Sequence, residues 1–286
     1  MTLGSIWYWS RRLAQEPRRE LRRLYFRTLL ARRAPHPIVC VHDGLKLNLS
    51  SGSVLAESLY VGSGFEDREL RCMLSNAGPG MTVFDIGANI GLYSILLGRA
   101  VGASGRVWGF EPYPPVASYF KQNIIANSLG NVTMVDRAVS DREGNADFYV
   151  FDDGQDVYNS LGAAERPAEG LRSTKRIKVP VTCLDTFAAE AGISSIDLLK
   201  VDVEGAEEKV LRGGQHLLKQ SKGVLVLVEA YPPSAEQCEC SVPRMVEMMT
   251  NWGFSAFEVS DDGGLVRVDG NLIRGTSIVF RRSVGR

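Results

Sequence analysis

Two acids, and the glycines that follow the first of them, carry the sharpest chemical signal in the chain. In the run VFDIGANIG, residues 83–91, an apolar stretch ends in Asp85 and turns through Gly87 and Gly91 into a helical rhythm. Glycines at such a turn let the backbone bend tightly and let a ligand approach the main chain. Twenty residues past Gly91, a second apolar stretch, RVWGFE, ends in Glu111. A carboxylate at that kind of strand end accepts hydrogen bonds from both hydroxyls of an unphosphorylated ribose. A dinucleotide fingerprint would need glycines at 87, 89 and 92, but Asn89 and Leu92 stand at two of those places. Asp85 would also oppose a pyrophosphate at the helix N-terminus, so a cofactor with a cationic ammonium or sulfonium suits the loop better. A third run, NVTMVD, points Asp136, Ala138 and Ser140 toward the same edge, where an adenine would lie. Asp136 or Ser140 could accept from its exocyclic amine or simply cap a turn.

These residues need a scaffold, and the patterning names one. From residue 81 onward, short apolar runs alternate with helical stretches at 89–100 and 115–127. Alternating strand and helix units imply a parallel sheet whose ligands gather at the carboxyl ends of the strands. At about 141–181 the rhythm turns irregular around ADFYVF and RIKVPV, which reads as an insertion over the sheet. It resumes with SIDLLKVD, a helix over 206–219, GVLVLVE, a helix over 235–252, and the strand candidates FSAFEVS and TSIVFRR. The expected division is an N-terminal helical and β-hairpin extension over 1–78 and a main domain over 79–286. In the extension, PIVCVHDGLKLNLS alternates about Asp43-Gly44 as a hairpin does, and a helix follows over 66–77. Residues 7–34 have a helical rhythm that Pro17 should divide.

Charge and cysteine content narrow the function classes. Thirty-three Lys and Arg balance thirty-three Asp and Glu, so no global attraction for nucleic acid or anionic lipid is expected. The exception is local: nine arginines fall between Arg11 and Arg33 against only Glu16 and Glu20. Five cysteines at 40, 72, 183, 238 and 240 show no disulfide framework, and the Cys238-Cys240 pair is a weak metal signal on its own. With no leader-like start and no apolar run of membrane-spanning length, the expectation is a soluble, cytoplasmic protein without a membrane span.

VFDIGANIGLYS, GFEPYP, RAVSD and above all IDLLKVDVEGAEEKVLRGG resemble the FkbM-type methyltransferase family. The resemblance is firm over 82–229 and fainter in the upstream SLYVGSGFEDREL. It implies a class I methyltransferase fold, Rossmann-like and doubly wound, with a seven-stranded sheet whose last strand is antiparallel. It implies S-adenosylmethionine as cofactor and O-methylation of a hydroxyl on a sugar, polyketide or other small metabolite, as in secondary metabolite biosynthesis. By motif, Asp85, Gly87, Asn89 and Gly91 would hold the methionine end and Glu111 the ribose. The Arg-rich start matches nothing in the family and leaves room for a homo-oligomer through the N-terminal helices. Two other readings stay open: a nucleotide or dinucleotide-binding module without methyl transfer, and a nucleic-acid methyltransferase, for which the Arg11–Arg33 segment is the sole support.

Methyl transfer to a hydroxyl calls for an aligned acceptor and a group to take its proton. Histidine is poorly supplied. His36 and His42 lie upstream near the hairpin, and His216 falls some ten residues into a helix, about 15 Å from its start. Carboxylates are the better candidates. Lys200, Asp202 and Glu204 alternate, so they share one face if the strand continues, and Asp202 should emerge near the methyl group. The competing role for Asp202 or Glu204 is to cap the following helix. Glu229 ends the neighbouring strand, and with Asp202 it could hold Mg²⁺ and acidify the acceptor hydroxyl. Tyr60, Glu66 and Asp67 before the sheet, and Asn159 with Ser160 in the insertion, stand where an acceptor pocket could form.

Overall fold

The computed structural model describes residues 17–26, 38–42, 44–50, 53–62, 66–151, 155–162, 164–166, 170–268 and 276–282. His36, Asp43 and most of the 7–34 helical rhythm lie outside these residues. Pro17 opens helix α1 (Pro17–Tyr25), where its missing N–H has no partner to lose; the helix expected before it lies outside the described residues. The expected hairpin forms from β1 (Ile38–His42) and β2 (Leu45–Leu49), paired antiparallel. Helices α2 (Val54–Val61) and α3 (Asp67–Asn76) follow.

Next come β3 (Thr82–Ile86), α4 (Leu92–Val101), β4 (Arg106–Phe110), α5 (Pro114–Ala126) and β5 (Val132–Val135). Then the chain leaves the main sheet. Strands β6 (Ala138–Val139), β7 (Gly144–Val150) and β10 (Lys175–Thr182) form a three-stranded sheet of their own, ordered β6-β10-β7. Short β8 (Glu165–Arg166) and β9 (Leu171–Arg172) pair between them. These strands fall in and beside the span, about 141–181, that the sequence reads as an insertion. A backbone bridge from Ser160 to Tyr149 folds the 155–162 segment back toward the carboxyl ends of the main strands.

After α6 (Leu184–Glu190) come β11 (Leu198–Val201) and, later, β12 (Leu225–Glu229). The helix expected over 206–219 is two helices, α7 (Glu207–Gly213) and α8 (Gln215–Gln220). Asp185 on α6 explains the break: its carboxylate accepts the backbone N–H of His216 at 3.0 Å and of Leu217 at 2.8 Å. It thereby caps a second helix from outside. The helix expected over 235–252 also divides, into α9 (Pro232–Gln237) and α10 (Val242–Asn251). Ser241 starts α10 by accepting from the N–H of Arg244, a cap a continuous helix could not use.

Strands β13 (Phe254–Val259), β14 (Leu265–Arg267) and β15 (Ser277–Arg282) complete an eight-stranded sheet ordered β14-β13-β15-β12-β11-β3-β4-β5. Strands β12, β11, β3, β4 and β5 run parallel, and β15 runs antiparallel between β12 and β13. Seven of the strands have the expected class I layout. The eighth, β14, is an addition that pairs with the outer edge of β13.

All four residues of β11 and the first four of β12 are buried, as expected of parallel strands covered on both faces. Phe84, Phe110, Trp108 and Phe187 meet edge to face beneath them. The hairpin shares this core: Leu45, Leu47 and Leu49 pack in one apolar cluster with Val83, Ile95 and Leu97. Fully buried Asn123 on α5 fixes its register by accepting from the N–H of Asn48 at 2.6 Å, while Asn127 brackets Lys46. Among the described residues, no helix is long and apolar enough to cross a membrane. Cys72, Cys183, Cys238 and Cys240 are free thiols.

Candidate functional site

A cavity of about 280 Å³ opens at the carboxyl ends of β3, β4, β11 and β12. Its floor is the turn after β3. The N–H groups of Gly87 and Ala88 donate to the Phe110 carbonyl at 3.1 and 2.9 Å, tying the turn to the end of β4. Gly87 has φ +79°, and a Cβ there would lie 1.7 Å from the Asp202 carbonyl oxygen. Glycine is thus demanded by the neighbouring strand end as much as by any ligand. Asn89 also takes a positive φ, 51°, which Asn tolerates better than most residues. This conformation aims its N–H at Glu111.

Glu111 is buried and lines the cavity. Its Oε2 accepts from the N–H of Asn89 at 3.2 Å and its Oε1 from the N–H of Tyr113 at 2.8 Å. Burial pushes its carboxyl up to about 8, although the two backbone donors pull the other way. Each oxygen retains a further lone pair for a ligand hydroxyl. Across the cavity, the insertion contributes Asp156, whose Oδ2 accepts from Asn89 Nδ2 at 3.4 Å. Burial raises the Asp156 carboxyl as well.

The β11 and β12 ends are built differently. Lys200 is buried, and its Nζ lies 2.7 Å from Asp202 Oδ2 and 4.6 Å from the centre of the Tyr93 ring. Burial would lower its basicity, but Asp202, Glu66 and Asp85 outweigh this and hold it protonated. Tyr93 donates its hydroxyl to Glu66 Oε2 at 2.7 Å. Burial lifts Glu66 to about 7 against the pull of Lys200. Glu229 is pushed well above the carboxylate range by burial, then by Asp202 and Glu204. Carboxylate oxygens of Asp202, Glu204 and Glu229 lie within 4.8 Å of one another. So close a set can share protons, the ammonium of Lys200, or a cation.

The turn bearing Asp202 and Glu204 is held by Glu207, whose Oε1 accepts from the N–H of Val203 at 3.1 Å and of Gly205 at 3.0 Å. Glu207, rather than Asp202 or Glu204, is therefore the acid that secures the start of α7. The other two are left facing the cavity.

A family profile described as the methyltransferase FkbM domain matches residues 85–256, well over half of the chain. The chain belongs to the FkbM methyltransferase family. The 2-O-methyltransferase NoeI of Sinorhizobium fredii is 30% identical over 152 residues, a match covering 50% of this chain and 61% of NoeI. The chain thus spans about three fifths of that relative's length. The 31-O-demethyl-FK506 methyltransferase FkbM of Streptomyces tacrolimicus is 29% identical over 200 residues, covering 58% of this chain and 74% of the relative. Among solved structures, a SAM-dependent methyltransferase from Aquifex aeolicus aligns over 75% of this chain and 87% of its own, with 13% identity and a TM-score of 0.41.

In this FkbM-family chain the motif residues divide. Gly87, Asn89, Glu111, Ala138, Lys200, Asp202, Glu204 and Glu229 all line the one cavity. Asp85 does not: it is wholly buried behind the turn, accepting from Ser94 Oγ at 2.6 Å, and among the described residues its Oδ1 has no hydrogen-bond partner. Burial raises its carboxyl while Lys200 opposes the rise. Gly91 also lies off the cavity, against Phe120, whose ring a Cβ would meet at 2.1 Å. Its glycine serves the packing of α5. Asp136, expected on the adenine edge, is exposed and outside the lining, because β5 ends at Val135 and the chain turns away. Arg137, Ala138 and Val139 reach the cavity in its place.

Glu66 and Asn159 do line the cavity, whereas Tyr60 packs against Phe26 and Ser160 is buried in its bridge. Sequence reasoning did not single out Tyr93, Asp156, Tyr158 or Glu207. Tyr93 and Glu207 stand inside quoted motifs, but only their contacts give them a role. His216 is exposed on α8 beside Gln220, remote from this chemistry.

Proposed function

We propose that this chain binds S-adenosylmethionine in the strand-end cavity and transfers its methyl group to a hydroxyl of a small metabolite. The observation that carries the reading is the acidic cavity itself. Its described lining holds Glu66, Glu111, Asp156, Asp202, Glu204 and Glu229 against two cations, Arg137 and Lys200. A sulfonium and an ammonium suit such a lining, and a pyrophosphate does not. Glu111, steadied by two backbone donors, would hold the ribose diol, and the turn at 87–89 the methionine end. Ala138 and Val139 offer an apolar bed for adenine. Asp85 would act from behind the turn, through its field on the ammonium.

When bound, the cofactor supplies an electrophilic methyl group whose transfer leaves a neutral thioether. Asp202 is the proposed acceptor of the hydroxyl proton, with Lys200 holding its carboxylate in place and Glu204 beside it. Asp202 would take the proton as the acceptor oxygen is methylated, and Lys200 would keep that carboxylate aimed at the hydroxyl. An oriented pair of reactants of this kind lowers the barrier chiefly by removing translational freedom.

Mg²⁺ between Asp202 and Glu229 is the alternative counter-charge, and the clustered carboxylates fit its preference for oxygen donors. Lys200 carries the stronger case, since its ammonium is already 2.7 Å from Asp202. Chelation should leave turnover unchanged; loss that Mg²⁺ restores would assign the role to the ion. The reading as a whole is tested by melting the protein with S-adenosylhomocysteine or NAD. A hundredfold excess over Kd adds about 2.7 kcal/mol, or roughly 4–5 °C at this chain length. The homocysteine compound should give that shift and NAD none. The reverse result would replace methyl transfer with dinucleotide binding.

A further inference from the structure

Helix α1 is built inside out. Among its described side chains, buried Glu20 and half-buried Arg23 face the protein. Arg23 pairs with Glu20 and donates from Nε to Glu57 Oε1 on α2 at 3.1 Å. Phe26, just past the end of α1, packs inward on Tyr60 of α2. Leu21, Leu24 and Tyr25 instead remain 58, 52 and 47% exposed. A surface helix ordinarily buries its apolar stripe and wets its charges, and here that arrangement is reversed. Three of the six large apolar side chains exposed among the described residues sit on this one helix, so they make a patch rather than scatter.

The patch has a charged edge. At about 3.6 residues per turn, Leu24, Leu21, Tyr25, Arg18 and Arg22 follow one another in that order around one side of the helix, and all five are exposed. The Arg22 guanidinium lies 5.8 Å over the ring of Tyr60, against which Tyr25 stacks at 6.5 Å. The exposed side therefore grades from aliphatic through aromatic to cationic. Along the chain, nine arginines fall between Arg11 and Arg33 against two glutamates, of which Glu20 is turned inward. Elsewhere acids outnumber bases, because the whole chain balances thirty-three of each.

Whatever covers this face must take leucines out of water and accept cations at their edge. Nucleic acid would meet the arginines, but its phosphate backbone offers Leu21 and Leu24 nothing apolar. A second copy of the same face would bury the leucines, yet it would bring Arg18 and Arg22 toward their own mates while Glu20 is already held by Arg23. The headgroup boundary of an anionic bilayer supplies both partners at once.

We propose that α1 is a docking helix for an anionic lipid surface. It lies flat there, with Leu21, Leu24 and the Tyr25 ring in the acyl boundary and Arg18 and Arg22 on the headgroups. The contact is peripheral: no described helix is long and apolar enough to cross a membrane. It stands apart from the methyl-transfer reading, although it bears on where the cavity sits. Helix α2, tied to α1 through Glu57, also supplies Val54 and Leu55 to the cavity lining. Docking through α1 therefore holds the strand-end cavity near the bilayer. The acid-rich remainder of the chain is repelled by the same surface, which orients the protein on its basic end.

The test is flotation of the full chain with vesicles of phosphatidylcholine alone, or with about a third phosphatidylserine to supply negative surface charge. The chain should float with the anionic vesicles and not with the neutral ones, and it should be released as salt is raised from about 0.1 to about 0.5 M. Arg18→Gln combined with Arg22→Gln should weaken binding about twentyfold, at roughly fivefold per arginine. Leu21→Ser combined with Leu24→Ser should weaken it about tenfold or more. All four positions are exposed, so melting followed by circular dichroism should stay within about 2 °C of wild type in both variants. Failure to float with anionic vesicles overturns the proposal, as does equal flotation with neutral ones or binding that survives both pairs of substitutions. Tighter retention of single-stranded RNA than of anionic vesicles would give the face to nucleic acid instead. A lipid-free dimer that the two serines dissociate would give it to a second copy of the chain.

Discussion

The two ends of the main cavity hold their acids by different means. At the β3–β4 end, Glu111 is gripped by backbone N–H groups of Asn89 and Tyr113. At the β11–β12 end, Asp202 is held by the side chain of Lys200, and Glu66 by the hydroxyl of Tyr93. Backbone donors are fixed by the fold and cannot follow a moving charge, which suits a group that must keep a cofactor in place. Side-chain donors can shift with a proton, and crowded carboxylates change their protonation together. Under the proposed function, the first end would bind and the second react.

The sharpest way to break this contrast is Asp202→Asn. If the β11–β12 end performs the chemistry, turnover with a radiolabelled methyl donor should fall about a hundredfold or more. Affinity for S-adenosylhomocysteine, measured by calorimetry, should stay within a few-fold. Wild-type turnover would remove Asp202 from the proton transfer. Glu111→Ala should do the opposite. Losing two hydrogen bonds at about 0.5–1.5 kcal/mol each weakens binding roughly fivefold to a hundredfold in Kd. An unchanged Kd would move the ribose elsewhere.

A smaller effect concerns the unliganded protein and its pH. Glu111 at about 8 and Glu207 at about 7 lie above the 4.5 of an ordinary glutamate. Between these values the folded chain keeps protons that the unfolded chain releases, so this contribution to stability is present below about pH 4.5 and is lost as pH rises through 7 and 8. The melting temperature should therefore be lower at pH 8.5 than at pH 6, and Glu207→Gln, which keeps an oxygen for Val203 and Gly205, should reduce the difference. A melting temperature that rises over this range would contradict the assigned burial effect.

Much of the β3–β4 end was legible in the chain. VFDIGANIG and GFE are local signals, in which strand, turn and acid are contiguous, and Gly87, Asn89 and Glu111 meet as their spacing implies. The same strings misled where the next element decided the outcome. Gly91 packs under Phe120, Asp85 is enclosed, and Asp136 is lost to solvent because the chain turns into a separate sheet. The split helices had the same origin: Asp185, thirty-one residues before His216, supplies a cap that periodicity cannot foresee.

What the sequence by itself determined is the family, the alternation that builds a parallel sheet, and the acids at the strand ends, because each depends on neighbours along the chain. Only the tertiary structure decided which of those acids share a cavity and what holds each in place. It also decided that Glu66, Tyr93 and Asp156 join them. The physical reason is range. Patterning and turn chemistry act over a few residues, whereas the field and hydrogen bonds on a buried carboxylate come from segments brought together only when the core closes.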